Sequence, residues 1–393
     1  MNKVNKKFRI AVIAPCPFPY SRGTPVRIYE IAKELSELGH DVHVFTYHLG
    51  HLEKEANFNI HRIKNIPGYE IYSPGPNIRK LFQLDLLLTS LLIREFRENS
   101  YDVIHAHNYE GLLIGLIVKK MSDIPLVYDA HNTLESELPY YYNLIPKFVK
   151  RWTGIMIDKI ISRNADHIIA VTPDIKTKLV IRHKIKPEFI DVVGNGADIE
   201  HFKKTDFNTV KHDAAIKKNI LYAGNTASYQ RIDLLLEIFR LIKSRNENVY
   251  LNIVTNSCFD EYSRIAEKMS ISQDIRLFNA DYSMQPEIFN SSDVALSTRI
   301  DCDGIPLKLL NYMSAGLPVV SFEGSAKIII HNETGMIVKN GDTIAFADSV
   351  LELLNNDELS RKIGSNGYEY VKRNHSWKHT AESICRIYDG LID

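Results

Sequence analysis

The chain has 393 residues, more than one ordinary hydrophobic core accommodates, so two domains are expected. Lysine plus arginine and aspartate plus glutamate number 48 each and cancel to a formal zero, which argues against the basic footprint of a nucleic-acid-binding protein. Cys16, Cys258, Cys302 and Cys385 are scattered without metal-ligand spacing, so no metal site is expected and the protein reads as reduced and cytoplasmic. Met1 to Arg9 is polar and basic, and no signal peptide is expected there. The charge-free run Leu86 to Ile93 is too short to span a bilayer.

In chain order, Phe8 to Ala14 is an apolar, β-branched run that predicts a buried strand. Pro15 to Pro25 is a loop with four prolines, Val26 to Leu38 has helical period and stops at Gly39, and Asp41 to Thr46 is the next strand. This βαβ unit has a loop at the carboxyl end of its first strand, where such folds bind ligands. Gly23 and Thr24 stand just before the helix, so backbone N–H groups could approach an anion. The loop lacks GxGxxG, hence no dinucleotide fingerprint. Arg22 and Arg27 flank it, either as surface charge or as ligand contacts.

Further strands are predicted at Asn59 to Ile63, Val103 to Ala106, Leu126 to Tyr128 and His167 to Val171, with helical patterns between most of them. Their ends carry His105 and His107, then Asp129, His131 and Asn132, then Thr172. Polar clusters at successive parallel-strand ends converge on one crevice. Asn77 to Glu98 and Pro146 to Arg163 are basic amphipathic helices. Such a helix either covers the sheet with its lysines in solvent or lies on an anionic membrane surface, and the first is expected here. Val192 to Phe202 turns sharply at Gly-Asn-Gly, and Lys203 to Lys218 is a polar linker.

A second α/β domain begins at Asn219, with strands at Asn219 to Ala223, Tyr250 to Thr255, Ile275 to Asn279 and Val294 to Thr298, and a helix at Ile232 to Lys243. Residues 297–320 then read as a strand end, a loop at Gly304 and Pro306, a helix over Leu307 to Ser314, a stop at Gly316 and Pro318, and a strand from Val319. Asp303, Lys308 and Asn311 are its polar residues, and a helix start in an α/β sheet favours anions. Trp377 to Leu391 is a last helix.

The order and spacing of several short pieces resemble the glycosyltransferase family 4 proteins, retaining enzymes of the GT-B fold. The pieces are Gly39 to Val44, His105-Ala106-His107, Asn195 to Asp198 with Phe202, Tyr222-Ala223-Gly224, Ile232 to Leu235, Gly304 to Val320 and Ser376-Trp377. The resemblance implies two Rossmann-like doubly wound domains facing across a crevice. One, 1–205, is for the acceptor and the other, 206–375, for a nucleotide-sugar donor, with a helix at 376–393 crossing back to the first. The family's paired glutamates fall on Asp303 and Asn311, and its diphosphate-clamping Arg and Lys on Asn225 and Gln230.

The same resemblance implies transfer of a sugar from a nucleotide diphosphate sugar to a carbohydrate or lipid-linked acceptor, without a metal or cofactor. It assigns donor contacts to Gly23, Thr24, Gly224, Asn225, Arg231, Asn279 and Arg299, and to Gly304, Ile305, Pro306, Lys308, Leu309 and Asn311. Asp281 joins Asn279 near the base. Acceptor contacts fall to Arg27, Asp129 and His131, with Glu135 and Glu137 beside them, and catalysis to Asp303 and to His107 or His105. The departures at both clamps leave open a non-catalytic partner of the same fold, and the fold also hosts nucleotide-sugar epimerases. Contact with the inner face of the cell membrane is a further expectation.

Overall fold

The computed structural model describes residues 6–20, 23–50, 56–70, 80–141, 145–202, 217–279 and 282–392. Arg22, Arg79, Asp281 and most of the expected linker lie outside the described residues. The chain divides into two compact units, residues 1–196 with 377–393 and residues 197–376.

In the first unit the elements run β1 (Arg9–Ala14), α1 (Gly23–Glu37), β2 (Asp41–Thr46), β3 (Asn59–Arg62), α2 (Leu86–Glu98), β4 (Val103–His107), α3 (Asn108–Ser122) and β5 (Leu126–Ala130). They continue with α4 (Leu134–Glu137), α5 (Lys147–Ile161), β6 (His167–Ala170), α6 (Pro173–Ile181) and β7 (Ile190–Val192). The strands form one parallel sheet in the order β3-β2-β1-β4-β5-β6-β7. The central strands are buried along nearly their whole length, as continuous apolar runs in a sheet covered on both faces must be.

The second unit contains α7 (Ile199–Phe202), β8 (Lys218–Ala223), α8 (Ile232–Lys243), β9 (Val249–Val254), α9 (Asp260–Lys268), β10 (Ile275–Phe278), α10 (Gln285–Asn290) and β11 (Val294–Ser297). It ends with α11 (Leu307–Ser314), β12 (Val319–Phe322), β13 (Met336–Val338), α12 (Thr343–Asn355) and α13 (Asp357–Asn374). Its sheet is also parallel, in the order β10-β9-β8-β11-β12-β13. In each sheet the strand order reverses once, between β1 and β4 and between β8 and β11. Ligands of open α/β sheets bind at the carboxyl ends of the strands flanking such a reversal. These are the positions of Gly23 and His107 in one unit and of Gly224 and Asp303 in the other.

The last helix, α14 (Trp377–Ile392), belongs to the first unit. It packs on α1, sets Tyr388 edge-on to Phe8, and brings Cys385 within 3.1 Å of His40 Nε2. Gly196 lets it in: a Cβ there would stand 2.5 Å from the Trp377 backbone nitrogen.

The structure differs from the expectations in several places. Helix α1 starts at Gly23, not Val26, so Gly23 and Thr24 form its first turn rather than precede it. Strand β4 runs through His107 and β5 through Ala130, because their polar residues still pair in the sheet. The units divide at Gly196 rather than at 205, since Phe202 is fully buried in the core of the second unit with Leu309 and Tyr312. Helix α5 does not cover the sheet with its apolar face. Phe148 and Trp152 are exposed, while Lys150, Gly154 and Asp158 face inward.

Replacement of Gly196 by alanine overpacks the seat of Trp377 and is expected to cost about 1–3 kcal/mol. A lowered unfolding midpoint in calorimetry checks this, and an unchanged midpoint contradicts it.

Candidate active site

In the first unit the chemistry gathers at β4 and β5. Alternation along β4 puts His105 and His107 on one face beside Asp129 of β5, and His131 follows one residue beyond the end of β5. His107 registers against Asp129. The two histidine rings of β4 stack with centroids 4.5 Å apart. All four side chains are buried.

Arg27, from the second turn of α1, closes the cluster from outside the sheet. It is 1% exposed. Its Nε donates to Asp129 Oδ2 at 3.0 Å and its Nη2 to Oδ1 at 3.2 Å. The remaining donors go to the carbonyls of Val193 and Gly194 and to Asn195 Oδ1, each at 3.0 Å. Burial alone raises a carboxyl pKa, but the Arg27 guanidinium and His131 outweigh it and hold Asp129 well below the usual carboxylate range. The five donors of the guanidinium are thus used within the protein. Arg27 serves as an internal tie, where the sequence suggested an acceptor contact.

Burial also pushes His107 well below its ordinary value and His131 down to about 4, so both imidazoles are neutral at pH 7. His105 Nε2 lies 3.5 Å from Asp129 Oδ2, and its Nδ1 is 2.6 Å from the Tyr388 hydroxyl of α14. The carboxylate favours the proton on Nε2, so Tyr388 donates to Nδ1. His107 Nδ1 is 2.9 Å from His131 Nε2 and 3.6 Å from Asp129 Oδ2. Asp129 also lies 3.8 Å from His131 Nε2, and with the slightly nearer His107 Nδ1 as the donor of the contact between the two rings, His107 Nε2 keeps a lone pair. That atom is buried without a hydrogen-bond partner. His105 Nε2 also lacks a hydrogen bond, but it lies 3.5 Å from Asp129 Oδ2, whereas no carboxylate faces His107 Nε2 among the described residues.

His105, His107 and Asp129 bring potential metal-ligand atoms within 4.8 Å of one another. The Arg27 guanidinium already occupies both oxygens of the carboxylate and supplies the positive charge a cation would bring. Glu135 is buried and pairs with Arg151 at 3.1 Å and with Arg182, while Glu137 accepts from Asn132 at 2.7 Å.

In the second unit the side chains gather at the β8 and β11 ends. Gly224 has φ +144°, and a Cβ there would stand 2.9 Å from Lys308 Nζ, so this glycine makes room for the ammonium. Lys308, in the first turn of α11, donates to Gln230 Oε1 at 2.9 Å and lies 4.1 Å from the Tyr222 ring centroid. Burial, with Arg299 nearby, pushes Lys308 down to about 7. An ammonium has three donors, and one hydrogen bond engages it among the described residues. Asn311, one turn further, is half-buried on the same face, and its amide makes no hydrogen bond among them.

The other expected donor residues take varied positions. Asn225 folds its own loop, accepting from the Ala227 N–H at 3.1 Å and donating to the Tyr229 hydroxyl at 3.0 Å. Arg231 sits in the left-handed region at φ +57° and pairs with Asp233 at 2.7 Å. Arg299 donates to the Asp301 carbonyl at 2.7 Å and stacks over Tyr229. Asp303 is buried, Gly304 accepts from the Cys302 thiol at 3.1 Å, and Pro306 caps α11. Ile305 is half-buried, the Leu309 side chain is core, and Asn279 is exposed. Gln230, Tyr222, Asn195 and Tyr388 are site residues that sequence reasoning did not select. Gln230 stands where the resemblance places a clamping lysine, and Tyr388 is an aromatic residue of the last predicted helix with no local polar signal beside it.

Two parallel-sheet domains with polar groups at both strand-order reversals define the GT-B class of glycosyltransferase architecture. The chain belongs to the group 1 glycosyltransferases: residues 21–201 match the family described as Glycosyltransferase Family 4, and residues 205–370 that described as Glycosyl transferases group 1. It is a transferase enzyme. N-acetyl-alpha-D-glucosaminyl L-malate synthase of Bacillus anthracis is 24% identical over 96% of both chains. Sucrose-phosphate synthase from Thermosynechococcus elongatus shares the fold with a TM-score of 0.83, at 18% identity over 97% of this chain and 98% of that one. Anabaena Alr3699/HepE, solved in complex with UDP, gives 0.74 at 16% identity, over 98% of this chain and all of the other.

Truncating Arg27 leaves Asp129 buried and uncompensated. Arg27→Ala is expected to lose about 3–5 kcal/mol of stability in urea unfolding. The double variant Arg27→Met/Asp129→Leu recovers part of that loss. A single variant as stable as the parent would contradict the tie.

Proposed function

We propose that the protein is a retaining glycosyltransferase that moves a sugar from a nucleotide diphosphate sugar to an acceptor hydroxyl. The observation that carries this reading is the Lys308 ammonium, poised at the strand-order reversal of the second sheet with donors to spare. A diphosphate supplies the compensating charge that such a half-neutralised, desolvated ammonium lacks. The UDP complex of the Anabaena relative supports a uridine donor.

In this reading Lys308 and the N-terminal amides of α11 stabilise the charge that develops on the leaving diphosphate. The amino end of α1, with Gly23 and Thr24, adds to that stabilisation. Asp303 orients the donor sugar and Asn311 offers its amide to the ribose diol. The lone pair of His107 Nε2 accepts a hydrogen bond from a sugar or acceptor hydroxyl, with His105 and His131 holding its orientation. The cationic work is done by Lys308 and the helix ends, so the reaction as proposed needs no metal or cofactor. The acceptor is a carbohydrate or lipid-linked sugar used in polysaccharide or glycoconjugate synthesis on the cytoplasmic side.

The Lys308 pKa gives donor binding a sign with pH. Below about 7 the free enzyme already carries the ammonium and affinity is on its plateau. As pH rises through that value, binding must take up a proton, and affinity falls by up to about tenfold per unit until the bound-state pKa is reached. Calorimetry of UDP-glucose binding between neutral and alkaline pH reads this directly, and Lys308→Arg, which stays charged, is expected to flatten the curve. Lys308→Ala is expected to weaken UDP by about tenfold to a hundredfold and uridine hardly at all. Equal losses for both ligands would remove Lys308 from the phosphates. Binding of no nucleoside diphosphate sugar at all would overturn the reading.

A further inference from the structure

The buried face of α14 is mostly apolar, but it carries two hydroxyls, Thr380 and Tyr388, about two turns apart. Both reach the charge cluster of the first sheet. The Thr380 hydroxyl donates at 3.1 Å to the Gly194 carbonyl, which also accepts from Arg27 Nη1 at 3.0 Å. The Tyr388 hydroxyl lies 2.6 Å from His105 Nδ1 and has no other hydrogen-bond partner among the described residues. Its ring meets the His105 ring edge-on, with centroids 5.9 Å apart and 82° between the planes.

Packing does not require this hydroxyl. Tyr388 is fully buried with its ring edge-on to Phe8, and a phenylalanine would fill nearly the same volume. Burying a hydroxyl costs free energy unless a hydrogen bond compensates it, and here His105 is the compensating group. Burial also holds the phenol well above its ordinary value, so it stays an O–H donor through the neutral range. Asp129 Oδ2, 3.5 Å from His105 Nε2, disfavours a lone pair on that nitrogen and leaves Nδ1 as the acceptor. His105 is thereby held on both sides of its ring, by a carboxylate from β5 and by a phenol from the last helix.

The consequence falls on His107. Its ring lies on that of His105, with centroids 4.5 Å apart and 21° between the planes. The terminal torsion of a histidine is broad and roughly twofold, so a ring held on one side only is free to turn out of such a stack.

We propose that Tyr388 is a positioning residue: its hydroxyl fixes the ring of His105 and, through the stack, the direction of the His107 Nε2 lone pair. The inference rests on the reading of His107 as the group that meets a substrate hydroxyl. Tyr388 then acts on the reaction without touching the reacting atoms.

Tyr388→Phe removes one oxygen and keeps the ring. The test is long-range proton–nitrogen correlation NMR of the imidazoles in the full chain, assigned with His105→Gln and His107→Gln, alongside UDP binding and hydrolysis of UDP-glucose. In Tyr388→Phe the His105 Nδ1 resonance is expected to move toward that of a free lone pair, and the His107 resonances to shift or broaden with it. UDP affinity is expected to be unchanged and kcat to fall by about tenfold to a hundredfold. Cys385→Ala is the control, since it removes the thiol 3.1 Å from His40 Nε2 on the same helix and is expected to leave His107 and kcat as in the parent.

His107 resonances unmoved in Tyr388→Phe overturn the proposal, and so does an unchanged kcat. A Cys385→Ala variant that shifts His107 equally makes the effect one of helix seating and overturns it too. The parent spectrum is a check that needs no variant to fold: a proton on His105 Nδ1 overturns the arrangement. Failure of the parent to bind UDP, with the His107 shift intact, overturns the donor reading alone, and the resonances decide the positioning even where hydrolysis is too slow to follow.

Discussion

The first unit depends on the ion pair between Arg27 and Asp129. It joins α1 to β5 across the strand-order reversal, and through Val193, Gly194 and Asn195 it also fastens the chain segment that leaves the sheet after β7. Burying two charges is costly unless every donor and acceptor is met. Here the guanidinium meets five acceptors, and the carboxylate is shared with His105. The pair sets the state of everything around it. A permanently ionised Asp129 directs the proton of His105 to Nε2 and that of His107 to Nδ1, while the positive Arg27 helps keep His107 and His131 neutral. The lone pair on His107 Nε2 is a consequence of a charge pair that does not touch it.

The second unit solves the equivalent position differently. Its reversal also carries a cation, half-buried, but Lys308 faces an amide oxygen and an aromatic ring rather than a carboxylate. Neither neutralises a full charge, so burial moves the pKa instead. The contrast is one of compensation: the cation of the first unit is fully satisfied and holds the fold, while that of the second has no carboxylate partner among the described residues. In that light Gln230 has a role. A neutral hydrogen-bond acceptor holds the Lys308 side chain in place without cancelling its charge, as a glutamate there would.

Much of this was legible in the sequence where the signal is local. Buried parallel strands declare themselves by apolar runs, α8 and α11 by period and by Gly and Pro stops, and the i, i+2 spacing of His105 and His107 by strand alternation. What stayed hidden depends on residues far apart in the chain. Arg27 and Asp129 are 102 positions apart, and His105 and Tyr388 are 283 apart. Before the fold is known, Arg27 is one more arginine beside a loop, and Tyr388 an apolar residue in a helix. Strands β7 and β13 are three residues each and carry little signal of their own, whereas α12 and α13 open on the side-chain caps of Asp342 and Asn356, a local signal that the predicted elements leave out.

Helix α5 shows the limit most clearly. Its periodicity identifies an apolar stripe, and the hydrophobic effect argues that such a stripe turns inward. That argument assumes the apolar face is the only one with something to gain. Lys150 and Asp158 gain backbone acceptors and donors at the loop before α5 and at the start of α4, groups that burial would otherwise leave unsatisfied. Gly154 removes the bulk that would keep the two helices apart. Leaving backbone groups unpaired costs energy on the inside and leaving Phe148 and Trp152 in water costs it on the outside, and in this helix the inward polar contacts decide the orientation.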